Sequence, residues 1–185
     1  MSLFPVLQWM ADSQWSIALH ESTWGYPLVE SVHVLALCLF VGMASLLDLR
    51  LLGIAMKRVP LSTVVRQLLP WTTVGFVIMV ISGLTLFYAI PVRTFQNIFF
   101  RIKVVMLIVA GFNAWVFHSG IYQRVAEWDL DLVPPKRARI AGAASLLLWA
   151  CIIIAGRIIA YNWFDCDLPQ SPAVRWMAGC VDESR

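Results

Sequence analysis

Four long apolar stretches, separated by short polar and charged ones, set the pattern of this chain. They lie near residues 28–50, 71–91, 102–123 and 139–161, each bounded by charge, Pro or Trp. A helix needs about 20 residues to cross the hydrocarbon of a bilayer, and each run is long enough. An irregular segment cannot cross lipid with its backbone groups unpaired, so the runs are predicted to be transmembrane helices. Residues 3–19 are different. Phe4, Leu7, Trp9, Met10, Trp15, Ile17 and Leu19 are interspersed with Gln8, Asp12, Ser13 and Gln14. That mixture predicts a helix lying in the interface plane, with Asp12 or Ser13 as its cap; the plainer alternative is a frayed terminus. The expected fold is all-α. A transmembrane four-helix bundle covers 26–163, an N-terminal interfacial helix lies within 1–25, and residues 164–185 form an extracytoplasmic tail.

Composition supports this class: 60% of residues are apolar, 14% are charged and nine are Trp. Trp24, Tyr26, Trp71, Tyr88, Trp128, Tyr161 and Trp163 fall near span ends and read as aromatic belts. Gly75, Ser82 and Gly83 on the second span, and Gly142, Ala144 and Ser145 on the fourth, permit close helix approach. The net charge of +3 is not gathered into a stripe, which excludes nucleic-acid binding. Residues 1–28 lack the layout of a signal peptide, so insertion is expected to rely on the first span.

Charge sets the expected orientation. One pair of links holds Arg50, Lys57, Arg58 and Arg66, with Arg124, Lys136, Arg137 and Arg139. The other side holds Arg93, Arg101, Lys103, Arg175 and Arg185. Eight against five predicts a multi-pass membrane protein with both termini extracytoplasmic. Cys38 and Cys151 sit in apolar runs as small hydrophobes. Cys166 and Cys180 would then face an oxidising compartment. The turn-rich stretch between them, with Pro169, Pro172 and Gly179, suits a disulfide. Free thiols or a metal pair are the alternatives.

Candidate chemistry starts at His33, inside the first span and one turn after Glu30. Ionisable groups in lipid are costly, so this pair is a functional-site hypothesis. Imidazole is a common ligand of haem iron and copper, and Glu30 could fix its tautomer or complete a proton relay. His118, in the third span, is the second intramembrane histidine. At 1.5 Å per residue, straight helices put the two roughly 13 Å apart in depth, too far to share one metal unless the helices tilt. At the level of His33 lie Lys103 and Met106 on the third span and Arg157 and Tyr161 on the fourth. Arg157 could pair with Glu30 or with a haem propionate. For Arg157 and Lys103 the bland alternative is snorkelling to the headgroups. For His118 it is a hydrogen bond to a neighbouring carbonyl. His20, at the end of the leader, is read as interfacial.

The pattern Tyr26-Pro-x-x-Glu30-x-x-His33, then Asp48-Leu-Arg50-Leu-Leu-Gly53, Phe100-x-x-Lys103 and Gly156-Arg157-x-x-Ala-Tyr161 resembles a family of small bacterial four-helix membrane proteins of unknown function. That resemblance covers most of 20–163 and implies an architecture without an activity. More distantly, His33, Lys103 and His118 resemble the first-span His, the later-span Lys and the Tyr-His of the haem-binding bacterial protoporphyrinogen oxidases. Phe117 stands here where the Tyr would be. The copper-resistance membrane domain is also similar as a small bundle with intramembrane His and Met.

The leading expectation is a haem b-binding membrane protein, serving electron transfer or oxidation of a lipid-soluble substrate as a membrane oxidoreductase. His33 would be an axial ligand, with His118, Lys103 or Met106 as the second, and Arg157 would hold a propionate. Expected partners are the lipid bilayer, a quinone or redox protein, and a second copy of the chain. Copper or other metal transport is one alternative. A cofactor-free anchor for an extracytoplasmic partner is the other.

Overall fold

The computed structural model describes residues 3–161, 166 and 168–180. Trp163 of the expected aromatic belt and the charge at Arg185 lie outside the described residues. The described residues are helical with no strand. The elements are α1 (Phe4–Ala11), α2 (Gln14–Glu21), α3 (Gly25–Leu51), α4 (Leu61–Ala89), α5 (Pro91–Phe95), α6 (Ile98–Val116), α7 (Lys136–Ile159) and α8 (Pro172–Ala178). Beyond Val116 the third span continues as a π turn, Phe117–Ile121, and a 3-10 segment, Tyr122–Glu127. Four of these helical stretches are long and apolar enough to cross a membrane: Gly25–Leu51, Leu61–Ala89, Ile98–Glu127 and Lys136–Ile159. The chain is therefore built as a multi-pass membrane protein. One end of the bundle carries both chain termini (the terminal end). The other carries the links 52–60 and 128–135 (the loop end).

The second span starts ten residues before its expected position. Arg66 and Pro70 read as a boundary in the sequence, yet both lie inside α4. Pro70 leaves the Arg66 carbonyl without its usual N–H donor, a loss that membrane helices tolerate, and just beyond it the Thr72 and Thr73 hydroxyls donate to the Leu68 and Leu69 carbonyls. The start of α4 is capped from a distant link. The Asp129 carboxylate accepts from the Ser62 N–H at 2.7 Å and from the Ser62 hydroxyl at 2.6 Å. An acidic group is favoured at this end of a helix, where N–H groups are unpaired.

Arg50 locks the same corner. Its side chain is fully buried. Nε donates to the Val59 carbonyl at 3.0 Å, and Nη2 donates to the Asp129 and Asp131 carbonyls, each at 3.3 Å. Read from the sequence as a charge at the membrane boundary, Arg50 instead ties both loop-end links to α3. Trp128, expected in the aromatic belt, is only 7% exposed and packs in a cluster with Leu51, Leu61, Val65, Phe117, Ala138 and Ala141. Arg50 takes the carbonyls of the chain around that Trp, which draws the ring inward.

Small residues let the helices meet. A Cβ on Gly75 would lie 2.8 Å from the Phe40 backbone nitrogen, so α3 and α4 approach to backbone contact there. Phe40 fills the middle of the bundle, with its ring 4.7 Å from Trp149 and 5.4 Å from Phe76, centroid to centroid. Gly142 does the same between α7 and α3, against the Asp48 carbonyl and Leu51. Gly75→Leu is expected to force α3 and α4 apart and to destabilise the bundle by about 1–3 kcal/mol. Thermal unfolding in detergent checks this, and an unchanged midpoint would count against the tight α3–α4 seam.

α3 packs along α4 and α7, and α7 packs along α6. α4 and α6 share no extended seam; they meet near their connected ends, where Phe87 stacks on Phe100 at 5.4 Å. At the terminal end the leader is two helices, not one, broken at Asp12–Ser13. Ser13 caps α2, as expected, and its hydroxyl also lies 2.6 Å from the Tyr88 hydroxyl. Ser16, buried, donates to the Tyr88 and Ala89 carbonyls at the end of α4. Trp9, Trp15 and Trp24 stay exposed. Across the same end, Cys166 and Cys180 form a disulfide. Arg101 holds α8 by donating to the Met177 carbonyl at 2.9 Å.

Candidate functional site

His33 lies eight residues into α3, about 12 Å along the axis from its start. It is partly buried and faces α4. Its Nδ1 is 3.0 Å from the Ser82 hydroxyl oxygen. The Ser82 hydroxyl proton is already directed to the Ile78 carbonyl at 2.7 Å. With that proton on the Ile78 carbonyl, the same oxygen accepts from the imidazole, an arrangement that places the neutral ring's proton on Nδ1. The Met79 carbonyl, also within hydrogen-bonding reach of the ring, acts in the same sense. Nε2 keeps its lone pair and has no hydrogen-bond partner among the described residues. This is the arrangement in which histidine serves as a metal ligand: one nitrogen is tethered by a polar neighbour and the other is free to bind.

Glycine makes the approach possible. A Cβ at Gly83 would lie 3.1 Å from His33 Cε1 and 3.6 Å from Nδ1, so a bare backbone is needed opposite the ring. The second pair repeats the device between the other two spans. Lys103, five residues into α6, carries its Nζ to a point only 3.2 Å from where a Cβ of Gly156 on α7 would stand. Lys103 and Glu30 are both close enough to His33 to act on its charge. A polar layer thus takes one member from each span, His33, Ser82 with Gly83, Lys103 and Gly156. It lies roughly 5–12 Å inside the helix ends at the terminal end.

The other residues singled out in the sequence divide between this layer and elsewhere. Glu30 is at the same end but exposed, one turn above His33 and acting also on Tyr26. Met106 is partly buried on α6. Arg157 is exposed; Nη2 donates to the Tyr161 hydroxyl at 3.2 Å and the guanidinium lies 5.2 Å from that ring centroid. His20 is also exposed, in edge contact with Tyr26, and lines a pocket of about 270 Å³ between the leader and α5. His118 is not with His33. It sits in the π turn at the loop end, exposed, with Nδ1 3.0 Å from the Ala114 carbonyl. From Lys103 to His118 is 15 residues of one helical stretch, about 22 Å, so tilt does not bring the two histidines to one ion. Among the described residues no three His, Cys, Asp or Glu side chains gather as a metal-binding group.

Three members of the layer were missed as functional residues. Ser82 and Gly83 were legible only as small packing residues, and Gly156 only as part of a motif. Their signal is positional: each faces an ionisable side chain of the neighbouring span, which a single helix cannot reveal. A second missed group is the buried Asp48, whose Oδ2 has no hydrogen-bond partner while the Ser145 side chain acts on the carboxyl.

Residues 21–162 match the model of a family of unknown function, DUF6644. No curated protein and no solved structure matches the chain.

Proposed function

The chain belongs to that family of unknown function, and from its polar layer we propose that it is a haem b-binding membrane protein serving electron transfer or oxidation of a lipid-soluble substrate. The observation that supports this best is the tether between His33 Nδ1 and Ser82, which leaves Nε2 as a free donor inside the bundle. A bundle core lined by inward-facing side chains is a usual place for such a cofactor. His33 would hold the haem iron through Nε2, and Ser82 would keep the ring in the tautomer that this needs. Gly83 keeps α4 from crowding it. Bound haem would supply one-electron chemistry at its iron.

The protein's own contribution is orientation and exclusion of water. Ser82 and the Met79 carbonyl orient the ring and favour the tautomer with the proton on the tethered nitrogen. The lack of an extended seam between α4 and α6 supports access for a lipid-soluble reactant such as a quinone from that side. His118, exposed at the far end, takes no part in this reading. The charge bias favours the terminal end as extracytoplasmic. With Arg50 buried, seven cations stand against five.

The test is an absorption spectrum of the purified protein in detergent, with a pyridine haemochrome assay after titration with hemin. The expected result is a Soret band and one haem b per chain. Folded protein that takes up no porphyrin would overturn the reading, and bound copper in its place would favour metal transport.

A further inference from the structure

We infer that Lys103 is the carboxylate-binding residue of the site, so that its ligand is an acidic amphiphile; for haem, the group bound is a propionate. This rests on the haem reading for the identity of the ligand but not for the charge it must carry. Lys103 lies about 8 Å inside the start of α6, partly buried. Its ammonium lies against the bare backbone of Gly156. Among the described residues no carboxylate pairs with it. The Arg124–Glu127 ion pair lies exposed at the other end. Glu30 acts on His33 and Tyr26.

An ammonium held inside a span without an anion is costly, and such groups pair with something. His33 carries no negative charge in either protonation state, so it cannot neutralise the ammonium. Arg157, the candidate for this role from the sequence, is exposed and engaged with Tyr161. The missing partner of Lys103 is therefore an anion brought by the ligand, in the same layer as the free Nε2 of His33. A molecule that fills both needs has an acid group and an apolar body. Haem has both, and so does a fatty acid.

The experiment compares each acid with its neutral ester on the full chain in detergent. Hemin is expected to bind about tenfold or more tighter than hemin dimethyl ester, the scale of one charge-assisted pair. Lys103→Met should abolish that preference, Lys103→Arg should keep it, and Arg157→Gln should leave it unchanged. Equal binding of the two porphyrins by the unmodified protein would overturn the inference, as would a preference that survives Lys103→Met. If neither porphyrin binds, the haem reading fails by itself. Fluorescent cis-parinaric acid against its methyl ester then decides: a preference for the acid lost in Lys103→Met supports the assignment, and no preference overturns it. Circular dichroism of each variant separates lost binding from lost fold.

Discussion

His33→Ala abolishes the Soret band of hemin-reconstituted protein, Ser82→Ala weakens hemin binding by about 10–100-fold, and His118→Ala changes neither. These are the expected results, and they separate ligand, tether and bystander. Removing the imidazole removes the only free ring nitrogen of the layer. Removing the Ser82 hydroxyl leaves the ring in place but takes away the partner that orients Nδ1. A partner that orients a metal ligand without touching the metal is worth about 10–100-fold in affinity. His118→Ala loses a hydrogen bond to its own helix and ring contacts with Phe117 and Tyr122, all at the opposite end. Hemin affinity from a spectrophotometric titration reads all three. A Soret band unchanged in His33→Ala would defeat the assignment, and a Ser82→Ala variant as tight as the parent would defeat the tether.

Arg50→Met is the variant expected to damage the fold most, by roughly 3 kcal/mol or more. The guanidinium is wholly buried and holds three carbonyls from two different links. Hydrogen bonds from a charged donor each contribute about 1.5–3 kcal/mol, and carbonyls left unpaired in the interior add their own desolvation cost. The loss is tempered because one of its nitrogens, Nη1, has no partner to lose. Arg50→Lys should recover only part of the stability, since an ammonium is a point donor that cannot span three carbonyls as a fork does. Thermal unfolding in detergent measures both. Protease sensitivity of the links 52–60 and 128–135 should rise in step. If Arg50→Met melts with the parent protein, the loop end is held by the Trp128 cluster alone and the lock assigned to Arg50 is wrong.

The spans were legible in the sequence because membrane insertion depends on a sum over about 20 neighbouring residues, with no reference to the rest of the chain. The start of α4 was not. Arg66 and Pro70 argue locally for a boundary, and what overrides them is the capping of Ser62 by Asp129, 67 residues away. The same distance effect hid the state of Arg50 and Trp128, whose charge and amphipathic ring argue for exposure until the links fold over them. The leader was legible as a polar and apolar mixture, and Ser13 as its cap. Its anchoring to Tyr88 and Ala89 through Ser16 was not, because a buried serine has no pattern of its own.

His33 and Lys103 stood out from sequence for one reason: each puts an ionisable group where the transfer free energy opposes it. That penalty is a property of the residue and its twenty neighbours, so the chain alone determined four apolar helices and the positions within them that call for a partner. Which groups answer was decided by the rotation and register of helices against each other. Ser82 meets His33, Gly83 and Gly156 clear the space, and His118 and Arg157 are turned away, because contacts between helices depend on angle and depth that no single helix encodes.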